Sequence, residues 1–433
     1  MERIGSVAVV GGGIAGLAAA AFAARAGARV TLFERMAEPG GRARTRDERG
    51  FLFNMGPHAL YRGGPAEAAL GELGIELSGA SAPTSGALAI RGGRLHALPG
   101  GFVSLLSTGL LRLPEKLELA RLLGAVPRLD TASLDGVTLA DYLRGELRHA
   151  GTRAVVEAVA RLTGYANAPE LLSAGAALSQ LVLGTGSGVR YLDGGWQSLV
   201  DALERRAREA GVELRFGARV EGVEHDGRVR ALRLAGGERA DFDAVILALG
   251  PAEASALVDD GSNPFLSAAE RACVPVRAAC LDLGLERLPE PRRTFALGID
   301  EATYFSVHSS SARLAPDGHA LIQAARYLAP GESPGREELE AGFDAMLDLV
   351  QPGWRELTRA RRVMRELVVV HDLPQASRGG LAGRTPVAVA GIANLSLAGD
   401  WVGPTGMLAD ASFASAREAA SLAVAARGLG VAA

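Results

Sequence analysis

Four glycines fall within six residues near the start of the chain, in Gly11-Gly12-Gly13-Ile14-Ala15-Gly16, and a carboxylate, Glu34, stands 18 residues after Gly16. This spacing suits the binding of a dinucleotide. Gly11 makes a tight turn, Gly13 lets a pyrophosphate approach the backbone, and Gly16 lets a helix pack closely on the preceding strand. Ile14 and Ala15 begin that helix, whose free N–H groups and dipole face the phosphates. Glu34 is placed to take ribose hydroxyls. A phosphate on that ribose would meet the acid unfavourably, so NADP is disfavoured.

Three elements must position these groups. Val7-Ala8-Val9-Val10 is apolar and partly β-branched, which predicts a buried parallel strand. Ile14 to Ala26 is rich in Ala and Leu and lacks Pro, which predicts a helix. Arg29 to Phe33 predicts a second strand ending in Glu34. The uncharged run Val7–Ala24 also has the character of a secretory leader, but the central glycines and the well-spaced acid argue for the nucleotide unit.

The motif continues through Arg35, into Gly40-Gly41-Arg42 and then Phe53-Asn54-Met55-Gly56-Pro57-His58. Here the chain resembles the flavoprotein superfamily of phytoene desaturases, protoporphyrinogen oxidases and amine oxidases. The flavin segment and Trp401-Val402-Gly403-Pro404 look closest to the phytoene desaturase-like branch. The resemblance implies FAD rather than NAD. It implies that Arg42, with backbone near Arg35 and Gly41, holds the pyrophosphate, and that Met55, Gly56, Pro57 and His58 pass close to the flavin ring. The Val220 backbone would contact the adenine. Gly399 and Asp400 would reach the ribityl or pyrophosphate part. Gly406, Met407 and Leu408 would lead into a helix over Ala409–Ala425, its N-terminus directed at the flavin N1–C2=O edge.

The implied fold class is α/β, with a Rossmann-type FAD-binding domain (parallel sheet plus three-stranded crossover) and an α+β substrate domain of antiparallel sheet and helices. The expected division is 1–85, 190–260 and 375–433 for FAD, with 86–189 and 261–374 for substrate. Along the chain, residues 86–98 predict a hairpin turning at Gly92-Gly93, and residues 113–183 are helical in period. Val212 to Phe216 and Ala218 to Val223 alternate as strands. Val274–Leu283, Thr303–Ser309 and Ala320–Leu328 are strand-like, and Arg336–Val350 is a helix. His308 and His319, near strand ends, are expected at the surface.

At 433 residues two domains are expected. The net charge of −3 gives no reason to expect nucleic acid. Cys273 and Cys280 suit buried free thiols rather than a disulfide scaffold, and no zinc-type cluster is present, so no metal is expected. No further charge-free run is long enough to span a bilayer, and the expectation is a soluble, cytoplasmic protein. The apolar stretch Phe102 to Leu111 suits an ordinary buried helix. Its alternatives are a greasy substrate entrance and a peripheral membrane contact.

The resemblance implies an FAD-dependent oxidoreductase, a desaturase or dehydrogenase acting on a small apolar, isoprenoid- or carotenoid-like substrate. O2, a quinone or another acceptor would take the electrons. The alternatives are an amine oxidase, a protoporphyrinogen oxidase-like enzyme, and a redox-neutral isomerase or flavin-binding scaffold. Many of the superfamily's amine oxidases place a lysine beside the flavin. Here the one lysine, Lys116, lies far in sequence from the flavin motifs. His58 is the candidate catalytic side chain, since its ordinary pKa suits proton transfer, unless it only bonds the backbone of its own loop.

No cysteine lies near residues 400–410, so the FAD is expected to be non-covalent. Acid precipitation of the yellow protein should therefore release all the flavin to the supernatant. Flavin retained in the pellet, or FMN by mass, would contradict this.

Overall fold

The N-terminal apolar run becomes the middle strand of a five-stranded parallel sheet. Its order is Glu213–Phe216, Arg29–Glu34, Ser6–Val10, Ala244–Leu247, Leu395–Leu397. The computed structural model describes residues 5–82, 86–99 and 102–426; the Phe102, Val103 and Leu106 side chains also lie outside the described residues. Helices Ile14–Arg25, Gln197–Glu209 and Leu408–Ala425 cover this sheet. Ala18 to Ala21 are fully buried, because only small side chains fit where the first helix is enclosed by its neighbours. At Gly16 a Cβ would overlap the Gly11 carbonyl oxygen, so helix and turn meet only through glycine. Strands Val220–His225, Val229–Leu234 and Arg239–Asp241 form the antiparallel crossover.

A second, seven-stranded sheet has the order Thr358–Val370, Val276–Leu285, Ala320–Leu328, Thr303–Val307, Phe295–Gly298, Leu88–Arg91, Arg94–Ala97. It is antiparallel except where Phe295–Gly298 pairs in parallel with Leu88–Arg91. Side chains alternate across a strand. Leu281, Leu283 and Leu285 accordingly pack with Phe343 and Leu347 of helix Arg336–Val350, while Ala278 and Cys280 join Tyr304 and Tyr327 on the opposite face.

Helices Leu113–Ala125, Leu139–Glu146, Ala150–Gly164 and Ala174–Gly186 share a further core, into which Leu105, Leu110 and Leu111 are buried. All three are buried as expected, but only Leu105 lies in a helix, Phe102–Ser107; Leu110 and Leu111 follow in a bend. His308 corrects the surface expectation. It is 1% exposed in a 3-10 turn after Thr303–Val307, its ring stacked 3.9 Å from Tyr191 with Nε2 2.9 Å from the Tyr304 hydroxyl. Burial pushes its pKa down to about 3. His319, just before strand Ala320–Leu328, is half-buried, its ring 5.9 Å from that of Phe51. Among the described residues no helix is long and apolar enough to cross a membrane.

Asp282 is fully buried on the Ala278–Cys280 side of its strand. The Arg362 guanidinium donates to its Oδ2 from Nε at 3.0 Å and from Nη2 at 2.5 Å, and Nη2 also reaches the Asn54 carbonyl. Gln323 Nε2 donates to Asp282 Oδ1 at 3.0 Å and to the Gly56 carbonyl at 3.1 Å. Removing one partner of a buried pair costs about 3–5 kcal/mol because the other charge is left unpaired. Asp282→Ala should lower the unfolding free energy by that order, read as a lower urea midpoint. A midpoint within experimental error of the parent would show that water reaches Arg362.

Candidate active site

A cavity of about 600 Å³ lies between the two sheets. Its nucleotide side is built from strand ends. Gly11 to Ala15 follow the first strand, Glu34 ends the second, Ala248 to Gly250 follow the fourth, and Gly399-Asp400 follow the last. Strand ends converge there because ligands of parallel sheets bind outside the carboxyl ends of the strands.

Glu34 accepts from the backbone N–H groups of Gly12 at 2.7 Å and Met36 at 2.8 Å, which fixes the carboxylate at the rim of the glycine turn. Arg35 and Val220 line the cavity beside it. Arg42 Nη1 donates to Asp400 Oδ2 at 2.7 Å and to the Val369 carbonyl at 2.9 Å, and Nη2 is 3.1 Å from His371 Nδ1. Burial alone would push the Asp400 carboxyl up. The Arg42 charge and the His371 hydrogen bond outweigh it and hold the group well below the usual carboxylate range.

Met55, Gly56, Pro57 and His58 form the next part of the wall. Gly56 has φ +83°, and a Cβ there would stand 3.0 Å from Cys280 Sγ, so two constraints demand glycine. His58 Nδ1 is 2.9 Å from the Gly56 carbonyl, and its ring lies 4.7 Å from that of Trp196. Burial pushes its pKa down to about 4, so the ring is neutral at pH 7 with Nδ1–H donating to Gly56. The loop-backbone alternative raised for His58 is thus present in the structure, and it leaves Nε2 as the basic nitrogen.

Of the expected site residues, Gly11, Gly13, Ile14, Ala15, Glu34, Arg35, Gly41, Arg42, Met55 to His58, Val220, Gly399, Asp400 and Leu408 line this one cavity. Gly16, Gly406 and Met407 do not. Gly16 faces the Gly11 backbone, as its packing role requires. The Gly406 carbonyl instead accepts from Arg384 at 2.8 Å, and the Met407 side chain turns toward Gly164. None of the described side chains of residues 102–111 lines the cavity. The lining residues without a site assignment from sequence include Tyr165, Trp196, Cys280 and His371. Gly194-Gly195-Trp196 marks the re-entry into the nucleotide domain and offered a cue for Trp196; the others carry no local motif.

The site's unsatisfied donors suit FAD. Helices Ile14–Arg25 and Leu408–Ala425 both begin at the cavity without a side-chain cap, leaving N–H groups for anionic or carbonyl oxygen. The space where a Gly13 Cβ would sit has no atom within 4 Å. Trp196 Nε1 is buried without a protein partner.

The model of the flavin containing amine oxidoreductase family matches residues 14–424, and the chain belongs to that family. A zeta-carotene-forming phytoene desaturase of Myxococcus xanthus is 27% identical over 285 residues, 55% of this chain and 52% of the relative, so the match spans about half the relative's length. A coproporphyrinogen III oxidase of Propionibacterium freudenreichii is 29% identical over 448 residues, covering 84% of this chain and 81% of the relative. The fold is shared with the crystal structure of an oxidoreductase from Methanosarcina mazei at a TM-score of 0.76 and 18% identity, over 95% of this chain and 99% of that one.

Loss of a hydrogen bond to a charged group costs about 1.5–3 kcal/mol. Glu34→Ala should therefore weaken FAD binding about ten- to a hundredfold, while circular dichroism of the variant matches the parent. FAD retained through dialysis as in the parent would remove Glu34 from the site.

Proposed function

We propose that this chain is an FAD-dependent oxidoreductase that dehydrogenates a compact, largely apolar substrate. The observation that carries this reading is the cavity wall opposite the nucleotide side. Ala278, Cys280, Ala325 and Leu367 form it, with the Tyr165 hydroxyl 3.3 Å from the Pro57 carbonyl; none of these side chains is charged, and Arg42 marks the border with the nucleotide side at the Val369 carbonyl. Abstraction of hydride from an unactivated carbon needs a dry, shaped surface more than ground-state charge. Bound FAD supplies the two-electron oxidation and passes the electrons to an acceptor such as O2 or a quinone.

The protein's part is to bind, orient and exclude water. Gly11 to Ala15, Glu34 and Arg42 hold the nucleotide and diphosphate. Gly56 and Pro57 press the backbone against the flavin. The substrate lies against the apolar wall, losing hydride from one carbon and a proton from its neighbour as the double bond forms. His58 Nε2 is the group placed to receive that proton, its tautomer set by the Gly56 carbonyl.

The match to a coproporphyrinogen oxidase favours a second reading, oxidation of a carboxylated tetrapyrrole. Such a substrate calls for cations on the substrate wall, and the described wall has none. An amine substrate fits less well, since no lysine lines the cavity.

Anaerobic mixing of the oxidised enzyme with isoprenoids, porphyrinogens and primary amines tests these readings through the flavin absorbance. Isoprenoids should bleach it. The bleaching rate should stay level from pH 8 to about 5 and fall toward pH 4, as His58 becomes protonated. Bleaching by amines alone would overturn the proposal, and a rate that stays level well below pH 4 would remove His58 from the proton step.

A further inference from the structure

We propose that His371 is a cofactor-positioning residue, holding Asp400 and Arg42 in the arrangement that receives the diphosphate–ribityl part of FAD. This rests on family membership and the site geometry, not on the substrate reading above.

His371 is the first residue after the long strand Thr358–Val370, and its neighbours fix it on both sides. Val370 is buried in the helical core. Asp372 is fully buried, accepting from the Val274 backbone N–H at 3.1 Å and from Arg378 at 3.0 Å. Between these anchors the imidazole lines the cavity, packed against Gly250, where a Cβ would stand 2.8 Å from His371 Nε2 and 2.6 Å from Glu253 Oε2.

Its Nδ1 meets two partners of opposite sign, Asp400 Oδ1 at 2.9 Å and Arg42 Nη2 at 3.1 Å. Asp400 is thus gripped at both oxygens, by His371 at Oδ1 and by Arg42 at Oδ2. Its side chain is 4% exposed, whereas that of Arg42 is 43% exposed. The buried acid is the fixed member, and the guanidinium is the member free to serve a ligand. With Nδ1–H given to Asp400 Oδ1, the ring nitrogen accepts nothing from Nη2, so the Nη2 protons facing the cavity are left for a phosphate oxygen. When Arg42 turns toward a ligand, the Nδ1–H of His371 keeps donating to Asp400 Oδ1 and prevents the acid from following the arginine. The imidazole thereby supports two cofactor-facing side chains that are 358 residues apart in sequence.

The test uses the full-length holoenzyme, with FAD release followed by flavin fluorescence on dilution and FAD affinity measured by titrating the stripped chain. His371→Ala removes the donor, while His371→Asn restores a side-chain N–H near the position of Nδ1. We expect His371→Ala to bind FAD at least about tenfold more weakly, and His371→Asn to stay within about threefold of the parent. The FAD-free melting temperature should be unchanged in both. FAD affinity of His371→Ala within twofold of the parent would overturn the proposal. So would a loss shared equally by both variants with a matching fall in FAD-free melting temperature, which would make the residue merely structural.

Discussion

The segment Asn54–His58 must lie between two sheets and still satisfy its backbone, and the site depends on how that is done. Buried carbonyls need donors, and an irregular segment receives none from a strand ladder. Here Arg362 serves the Asn54 carbonyl and Gln323 the Gly56 carbonyl, both held by one buried carboxylate, Asp282. On the other side, Asn54 Oδ1 accepts from the Trp196 N–H at 3.0 Å and the Thr45 hydroxyl at 2.7 Å. The segment is therefore fixed by side chains of both the nucleotide half and the second sheet. Gly56, at φ +83°, takes a backbone conformation there that glycine alone adopts without strain.

The same device recurs where the chain closes the site. Arg384, 4% exposed, donates to the carbonyls of Asp400 at 3.2 Å, Thr405 at 3.3 Å and Gly406 at 2.8 Å, which orders the loop ahead of the last helix. Asp410, in that helix's first turn, accepts from the Ala66 N–H at 2.8 Å and so caps helix Pro65–Glu72. Each contact joins parts of the chain that parallel-sheet topology brings together late. The two uncapped helix ends are left open because the loops around them are held by other groups.

This explains which parts were legible in the sequence. The glycine turn and Glu34 sit in one local strand–turn–helix–strand unit, so their spacing announces them, whereas Gly399-Asp400 was legible only through the family resemblance. Tyr165, Cys280 and His371 act through where distant strands bring them, and no local pattern marks that. Strand Thr358–Val370 was hidden for a related reason. It carries Arg359, Arg361, Arg362, Arg365 and Glu366, which reads as a solvated segment. Yet Arg361 pairs with Asp344, Arg359 with Glu286 and Arg362 with Asp282, so these charges are spent on neighbouring elements. His308 was misplaced because a position near a strand end favours the surface, whereas the following 3-10 turn folds its ring onto Tyr191.

The cavity is polarised along its length, and that asymmetry bears on chemistry. Glu34, Arg42 and Asp400 concentrate fixed charge where a diphosphate belongs, while the opposite wall carries none. In a low-dielectric pocket each group that could ionise on the apolar side is driven neutral. Burial pushes the Cys280 thiol up, pushes the Tyr165 hydroxyl well above its usual range, and pushes His58 down. A thiol held protonated is a poor nucleophile, so Cys280 contributes shape rather than covalent chemistry. What remains at the reacting end is one neutral imidazole, one tyrosine hydroxyl and a packed apolar surface. Such a wall discriminates by shape and exclusion of water. It gives no charged group a partner there, which argues against a substrate that must enter as an ion.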